Sequence, residues 1–576
     1  MKYRVKGKID NLDIVKQICE TRGVDYSNLE SFLNPKEWVR SNPAIYKNLL
    51  SVAQTIIDAV NRKLKIGILI DSDCDGYLSA AMVVNYLAEV MDYPYVRLYI
   101  HDEKQHGLTP YVMSQIKAEP PQLLIIPDAS SSDYKQHEEL YQSGVEIVII
   151  DHHEADGYSP FATVVNNQLQ DGANKTLSAG GMVMKLLEQM DILLGEDKAK
   201  NYCDLASVSL VGDCMLMNHP ETRYYVQQGL LNINNPLLDE LIRAEGERSY
   251  ETISFDIAPT INAFIRMGTL QERQEVFLAL IGNRALREIT IRGQGKFELP
   301  LPEYISKMAS RIKSRQTTAV KKALESENTL ISSEELNIPI TVCILDDEVS
   351  KNLTGLIGNR LTEIYKKPAI VLKRTKEGFL AGSGRATDTF PDFKDYCNEL
   401  GFFEFCAGHQ GAFGVGITEN KLNELYINTS GKTLGEDFDC YIVDKAYENN
   451  VSAFDIMSIG ELNRYWSRGF DKPLFYVKLT NLTGAEVEII GQKRNTIRIK
   501  KDNITYLKFK CEPEEIEAIQ SKVVNEVELV GHFSINEYYD NLYPQVLIED
   551  LEYKGVEKQK ESAFGFDFSN FGNIKW

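Results

Sequence analysis

The chain has 576 residues, of which 43% are hydrophobic and 25% charged, a composition typical of globular proteins and a length that predicts about three or four domains. Its net charge of −20 excludes a surface coated with phosphate-binding cations, and its short apolar runs, such as LLII at 123–126, exclude a membrane span of ~20 residues. Nine cysteines without a CxxC pair exclude a zinc ribbon and predict a reducing, cytoplasmic setting.

Helical and strand patterns divide the first 300 residues into two predicted regions. Residues 1–63 carry apolar side chains at helical spacing and are predicted to form an N-terminal helical region. From 64 to 300, short aliphatic runs alternate with helix-like stretches, as KIGILI does with YLSAAMVVNYLAEVM. This alternation is typical of a parallel α/β domain.

The rest of the chain is predicted to form a connecting helix, two further domains and a tail. A long polar helix at 301–330 is expected to lead into a second α/β domain at 331–430. After a connector at 431–471, short strands separated by turns predict a small β-barrel at 472–556. The Phe- and Gly-rich tail at 557–576 is predicted to be disordered.

Acidic residues and histidines follow three of the predicted strands. Because ligands bind beyond the carboxyl ends of the strands in an open parallel sheet, we expect these side chains to share one cleft. Several carboxylates with imidazole and no thiolate suit two divalent ions, Mn²⁺ or Mg²⁺ ahead of Zn²⁺, and such a pair is typical of phosphodiester hydrolysis. The side chains are Asp71, Asp73 and Asp75 after KIGILI, Asp128 after QLLIIP, and Asp151, His152 and His153 after VEIVII.

Each of these clusters also has a purely structural interpretation. A D-x-D after a strand is often a helix cap followed by a solvated loop, and a His-His pair can be part of a core. Three clusters at strand ends within about 80 residues favour the metal site, because independent caps have no reason to coincide in this way.

The motifs resemble those of a known superfamily. DSDCDG and DHHE are similar to the first and third motifs of the DHH phosphoesterases, and GSGRA and AGHQGAFGVG are similar to their DHHA1 module. The order of segments over roughly residues 10–553 resembles the RecJ branch, which comprises single-strand-specific DNA exonucleases. The resemblance implies a parallel-sheet DHH domain, joined by a long helix to a second α/β DHHA1 domain and followed by a β-rich OB-like barrel.

The resemblance also implies roles for individual residues. His153 would face the scissile phosphate, Asp151 would orient the histidine pair, and Asp75 would complete the catalytic groups. Asp213 enters through the resemblance alone, because LASVSLVGD has the pattern of a buried segment with a polar end. The implied ligands of two Mn²⁺ or Mg²⁺ ions are Asp71, Asp73, Asp75, Asp128, His152 and Asp213.

Contacts with the nucleic acid are implied at Arg266, Ser383, Arg385, Gly408 and His409. In the family, such basic residues recognise the DNA end and set a 5′-to-3′ polarity. The family's PNR segment, however, has no counterpart in YIHDEKQHGL at 99–108, so an end-binding arginine is missing. We hypothesise that the lysine of this segment, Lys104, supplies the missing charge.

The segment QKRNTIRIKKDNITYLKFK at 492–510 is basic within an acidic chain. On a β-barrel, its cations and aromatic side chains would fit single-stranded DNA through backbone charge and base stacking. The alternative is a solvated strand face whose aromatic residues lie in the core. The residues predicted to bind are Arg494, Arg498, Lys500, Lys501 and Tyr506.

We therefore expect a monomeric, metal-dependent single-stranded DNA exonuclease that acts 5′ to 3′, releases mononucleotides and serves DNA repair and recombination. The aromatic tail would contact a replication or repair protein. One alternative is a DHH phosphodiesterase for short oligonucleotides, although such enzymes lack the OB-like part. Another is a catalytically silent, DNA-binding replisome scaffold, which the retained ligand set disfavours.

Overall fold

The structure divides into two units whose sequences interleave. One unit is made of residues 24–438 and 464–471, and the other of residues 1–23, 439–463 and 472–576. Within the described ranges, no helix is both long and apolar enough to cross a membrane. The predicted tail lies outside them apart from Glu557. This computed structural model describes residues 1–7, 13–243, 248–291, 293, 295–332, 337–375, 378–387, 389–432, 440–448, 451–539 and 541–557.

The first residues of the chain belong to the β-rich unit. Strand β1 (Tyr3–Val5) pairs in parallel with Tyr441–Val443, and helix α1 (Ile14–Thr21) follows it. Arg22 then meets the carboxylate of Asp444 at 2.8 Å, with both side chains buried. The prediction of a helical region over 1–63 is thus wrong at its start, because a three-residue strand is too short for periodicity and its partner lies more than 400 residues away.

A five-stranded parallel sheet forms the centre of the larger unit. Alternate residues of β2 enter two separate hydrophobic cores, so both faces of the sheet are covered. Since the chain leaves β2 towards β3 on one side and later adds β4 on the other, a crevice opens at the carboxyl ends of these strands. The strand order is β3 (Val96–Ile100), β2 (Ile66–Ile70), β4 (Leu123–Pro127), β5 (Glu146–Asp151) and β6 (Thr163–Asn166).

Among the described residues between 24 and 280, eleven α-helices accompany this sheet. Helices α4, α7 and α8 are buried over most of their length, which explains why their sequences show little polar face. The helices are α2 (Leu29–Leu33), α3 (Leu49–Asn61), α4 (Cys74–Glu89), α5 (Pro110–Ala118), α6 (Tyr134–Gln142), α7 (Ala179–Leu194), α8 (Cys203–Gly212), α9 (Pro220–Leu231), α10 (Pro236–Leu241), α11 (Ala258–Met267) and α12 (Leu270–Leu280).

A long helix carries the chain into a second α/β domain, as predicted. The hairpin of β7 (Leu286–Ile291) and β8 (Gly295–Pro300) leads into α13 (Leu301–Glu325), which ends five residues earlier than expected. The second domain has a mixed six-stranded sheet and three helices. In sheet order its strands are β13 (Phe405–His409), β14 (Ala412–Ile417), β12 (Leu380–Arg385), β11 (Ala369–Arg374), β10 (Thr341–Ile344) and β9 (Leu330–Ile331), and its helices are α14 (Thr354–Tyr365), α15 (Phe393–Leu400) and α16 (Glu419–Thr429).

The β-rich region at the end of the chain is confirmed as a seven-stranded sheet. The two strands at the ends of this sheet, Lys445–Tyr447 and Val487–Ile490, do not pair with each other in their described residues. Its longest feature is the antiparallel hairpin of β21 and β22. The elements of this region are β15 (Tyr441–Val443), β16 (Lys445–Tyr447), α17 (Ala453–Gly460), β17 (Phe475–Leu479), β18 (Val487–Ile490), β19 (Thr496–Lys501), β20 (Ile504–Lys508), α18 (Pro513–Gln520), β21 (Lys522–Tyr538) and β22 (Asn541–Glu557).

Candidate metal centre

The acidic clusters predicted at strand ends meet in one cleft. Because β4 lies between β2 and β5, Asp71, Asp128 and Asp151 emerge side by side at one sheet edge. Asp128 has a φ of +68°, in the left-handed region that non-glycine residues rarely adopt, and its amide donates to the carbonyl of Ile150 at 2.9 Å. This turn directs the carboxylate of Asp128 back over the strand ends.

All six predicted ligands lie close enough together to hold metal ions. The ligand atoms fall into three groups, and within each group they lie within 4.8 Å of one another: Asp71, Asp73 and Asp128; Asp75, His152 and Asp213; and Asp128, His152 and His153. His152 Nε2 lies 3.3 Å from Asp128 Oδ1 and 3.4 Å from an oxygen of Asp213, so the groups overlap and adjoin. Such overlapping groups suit a two-ion site with a shared carboxylate.

Several atoms of this cluster have no hydrogen-bond partner among the described residues. They are both oxygens of Asp128, both ring nitrogens of His152 and Oδ2 of Asp213. Buried polar atoms are almost always paired, because leaving them unpaired is costly. Burial and Asp75 raise the pKa of Asp128 well above its usual value, and burial and His153 lower the pKa of His152 to about 4. These residues therefore fit divalent cations, which would replace the missing partners.

Asp75 is held at the N-terminus of helix α7. Its carboxylate accepts hydrogen bonds from the amides of Ala179 at 2.8 Å and Gly180 at 2.9 Å, and from the hydroxyl of Ser209. A Cβ atom at Gly180 would collide with Ser209, so a glycine is needed for this close approach. Burial and the neighbouring Asp213 nevertheless raise the pKa of Asp75 to about 7. Ala179 and Gly180 bind Asp75 through backbone amides, so their side chains gave no sign of this role in the sequence.

His153 lies at the mouth of the cleft, beside the ligands. Its Nδ1 is 2.8 Å from Asp151 Oδ1 and 3.9 Å from Asp128 Oδ1. Burial opposes its charge, but Asp151 outweighs this effect and raises the pKa of His153 to about 10. Asp151 also accepts hydrogen bonds from the amides of His152 and Ser131. Although burial favours the protonated form, His153, His152 and Ser131 together hold the pKa of Asp151 well below its usual value.

Two histidines that sequence reasoning did not assign contact Asp71. His106 Nδ1 is 2.9 Å from Asp71 Oδ2, and His101 Nε2 is 3.5 Å from Oδ1, which also accepts from the amide of Gly107 at 2.9 Å. The pKa of Asp71 is lowered because the two histidines outweigh the effect of burial. His101 directly follows β3, so the strand-end signal that identified the other clusters could have found it.

A cation pocket, defined as the partly buried Lys104, Arg266 and Arg385, lies next to Asp73. Burial and the repulsion of Arg266 lower the pKa of Lys104 to about 8 and that of Arg385 to about 10. Burial also lowers the pKa of Arg266, and the negative charge of Asp73 partly offsets this effect. None of the three forms an ion pair within the described ranges. Ser383, on the same strand as Arg385, instead contacts Thr354 at 2.9 Å between hydroxyl oxygens.

The turn predicted to approach the nucleic acid reaches the metal cluster from the second domain. His409 Nε2 lies 3.6 Å from Asp213 Oδ2. Gly408 has a φ of +121°, and its carbonyl accepts from the ammonium group of Lys394 at 2.8 Å. Lys394 also meets Glu154 at 3.3 Å and so joins the turn to the DHHE motif.

The basic residues of the β-rich unit differ in their surroundings. Arg494 and Lys500 are exposed and form no ion pair with a described residue. Arg498 instead pairs with Glu488 of β18. Lys501 lies 3.3 Å from an oxygen of Glu486, on the loop before β18. The local excess of positive charge is therefore smaller than the sequence indicates.

The prediction that Tyr506 stacks on bases is wrong. Its side chain is 1% exposed and lies on the inner face of the sheet, level with Ile499, Val546 and Phe533. Burial accordingly raises the pKa of its phenol. The alternative of aromatic residues in the core is correct at this position.

The fold and the carboxylate–histidine cluster define a DHH-type protein, and comparison with known proteins agrees. The family profile "DHH family, N-terminal domain" matches residues 65–212. A putative prophage-derived single-strand DNA-specific exonuclease of Bacillus subtilis is 30% identical over 98% of this chain and all of its own length. The single-stranded-DNA-specific exonuclease RecJ of Bacillus subtilis is 24% identical over 95% of this chain and 69% of its own.

A solved structure confirms the fold. RecJ of Thermus thermophilus in complex with Mn²⁺ matches with a TM-score of 0.72 and 19% identity, over 96% of this chain and 80% of that one. The chain belongs to the RecJ-type branch of the DHH family.

We expect Mn²⁺ to raise the midpoint of thermal unfolding, and to raise it more at pH 7.5 than at pH 5.5. The reason is that Asp75, with a pKa of about 7, and Asp128 must lose their protons before they can bind a cation. At a hundredfold excess over Kd, each occupied site adds about 2.7 kcal/mol to the free energy of unfolding. The measurement is differential scanning calorimetry with and without MnCl₂.

Asp128→Asn tests the assignment, because it removes the shared charge with little change of shape, and Asp171→Asn on an exposed turn is the control. The effect of Mn²⁺ should shrink in the first variant and persist in the second. An unchanged effect in Asp128→Asn would mean that Mn²⁺ binds elsewhere.

Proposed function

We propose that this chain is a metal-dependent exonuclease that degrades single-stranded DNA from its 5′ end and releases mononucleotides in DNA repair and recombination. The observation that carries the proposal is the set of ligand atoms on Asp128, His152 and Asp213 that form no hydrogen bond with a described residue and belong to the groups that suit divalent ions. A relative named as a single-strand DNA-specific exonuclease supports it along nearly the whole chain. We assign the site two Mn²⁺ or Mg²⁺ ions.

The residues around the cluster have separate tasks in this mechanism. When bound, two divalent ions acidify a water molecule and neutralise charge on the scissile phosphate. His153, kept as an imidazolium by Asp151, presents a cation to a non-bridging phosphate oxygen. His409 reaches the cluster from the second domain, so a strand lying between the two domains is contacted from both sides.

The first test follows the release of nucleotides from DNA labelled at either end. Wild type in Mn²⁺ is expected to release labelled mononucleotides from the 5′ end only, and EDTA to abolish the release. Asp128→Asn should lower the rate by at least about a hundredfold, because Asp128 belongs to two of the three ligand groups, whereas Asp171→Asn should behave as wild type. Tight DNA binding without turnover by wild type would instead indicate a scaffold.

We further propose that the cation pocket binds the phosphate at the 5′ end of the strand and so sets the polarity. Its three cations are partly buried and form no ion pair with a described residue, which favours an anionic ligand. Lys104 occupies the loop after β3, where the family's end-binding arginine is missing. The lysine would then take over the role of that arginine.

Lys104→Ala is expected to reduce the preference for 5′-phosphorylated over 5′-hydroxyl ends by roughly tenfold to a hundredfold, the value of one charge-assisted contact. The ratio of kcat/KM values for the two ends measures this preference. Lys104→Arg should restore it, and Lys135→Ala, an exposed lysine elsewhere in this unit, should not change it. An unchanged ratio in Lys104→Ala would exclude the lysine from end recognition.

In the β-rich unit, we propose that the unpaired cations rather than the paired ones contact the DNA backbone. Removing one phosphate contact lowers the slope of log K against log salt by about 0.7 for a single strand. Arg494→Ala and Lys500→Ala should each show this loss. The matched variants Arg498→Ala and Lys501→Ala should show less, because Glu488 and Glu486 already neutralise these side chains. Equal losses in all four would refute the distinction.

We also propose a cytoplasmic, monomeric protein whose tail contacts a replication or repair partner. The support is limited to sequence: cysteines without disulfide spacing, and Phe564, Phe566, Phe568 and Phe571 in a stretch outside the described residues.

A further inference from the structure

The hairpin of β21 and β22 extends beyond the rest of its sheet. Strand β17 pairs with β21 only over residues 527–531, and β20 pairs with β22 only over 545–547. From His532 to Tyr538, the described part of the sheet pairs β21 with β22 alone, and the last pair of this ladder is Tyr538 with Asn541. A two-stranded extension of this kind has little intrinsic stability.

Tyrosines are exposed at the end of this extension. The exposed fractions are 60% for Tyr538, 81% for Tyr539 and 46% for Tyr543, and Leu542 is 52% exposed. The rings of Tyr538 and Tyr539 lie 4.4 Å apart at 72°. Exposed aromatic side chains on a hairpin that reaches beyond the rest of its sheet indicate a contact surface, because rings left in water contribute little to the stability of the fold.

Strand register shows which of these side chains share a face. Ile535 packs towards Gly460 of helix α17, so its side of the extension is covered. Successive residues alternate between faces, and the ladder from His532 to Tyr538 has no register shift. The opposite face, which we call the tyrosine face, consists of Ser534, Asn536, Tyr538, Asn541, Tyr543 and Gln545.

The tyrosine face continues into a basic part of the sheet. Gln545 is level with Thr505, and Thr505 is level with Lys500, so these three side chains lie on the same side of adjacent strands. Two strand spacings place Lys500 about 10 Å from Gln545. The inner face at the next level contains Tyr506 and Phe533, both buried, which confirms the alternation.

The chemistry of this face suits one class of ligand. In a chain with a net charge of −20, the tyrosine face has no carboxylate, and it offers two phenol rings, three amides and a neighbouring unpaired cation. Aromatic rings stack on bases of any sequence, amides bond to base edges, and a lysine attracts the phosphate backbone.

We propose that the tyrosine face is a base-stacking platform on which unpaired nucleotides of the DNA strand rest, with Lys500 against their backbone. The proposal rests on the proposed function for the identity of the strand as DNA. It replaces Tyr506, which is buried, with Tyr538 and Tyr543 as the aromatic contacts of the β-rich unit. The contact is to bases, so it differs in kind from the phosphate contacts of the other cations.

The test compares binding of two fluorescent strands of equal length, oligothymidylate and its abasic counterpart, to the full-length protein in EDTA. Tyr538→Ala/Tyr543→Ala should weaken binding of oligothymidylate by roughly tenfold, the value of stacking a base or two, and leave the abasic strand unaffected. Tyr538→Phe/Tyr543→Phe should bind as wild type, because the ring is kept. Lys500→Ala should weaken both strands equally.

Tyr95→Ala, which removes an exposed tyrosine from the other unit, is the matched control and should change neither affinity. The melting temperature of each variant confirms that it is folded. Equal affinity of the alanine double variant and wild type for oligothymidylate would overturn the proposal. So would a change of oligomeric state in this variant, because the face would then serve contact between copies of the chain. Since binding is measured without metal, a failure to hydrolyse DNA would not affect this result.

Discussion

Repulsion between buried carboxylates is the constraint on which the larger unit depends. At 4 Å, two like charges repel by about 4 kcal/mol at an effective dielectric constant of 20, and this site gathers three aspartates around His152. Burial, together with this repulsion, raises the pKa values of Asp75 and Asp128, and a proton or a divalent ion relieves the repulsion. The ligand set is thus unfavourable by itself and is held in place by its surroundings.

Those surroundings stabilise the carboxylates one at a time. The amides at the start of α7 hold Asp75, two histidines and an amide hold Asp71, and the amides of the DHH turn hold Asp151. Asp128 accepts no hydrogen bond from a described residue, so both of its oxygens would be available to hold a cation. A parallel sheet covered on both faces supports the strand ends from which these side chains emerge.

Pairing also decides which cations can meet a nucleic acid. In the β-rich unit, an acid on the neighbouring strand neutralises Arg498 and a glutamate on a loop neutralises Lys501. The three cations of the cation pocket form no ion pair with a described residue. A count of positive residues in the sequence treats these groups alike. The exposed tyrosines of the β21–β22 hairpin lie about thirty residues after the end of the basic segment in the sequence and are brought near it by strand pairing.

Local pattern in the sequence determined a large part of this protein. Aliphatic runs of five or six residues predicted the strands, and the position of Asp71, Asp128 and Asp151 directly after them predicted a shared cleft, because parallel strands end at one edge. The long helix after residue 300 was equally clear from its periodicity.

Contacts between distant segments were decided only by the tertiary structure. Strand β1 pairs with Tyr441–Val443, His106 contacts Asp71, and Tyr506 is buried. Each of these features depends on strand pairing or packing that a local sequence pattern does not encode. Strand alternation shows that two residues face opposite ways, but it does not show which face is covered. The sequence alone therefore determined which groups could bind metal, and the packing of the folded chain decided which of them are left without any other partner.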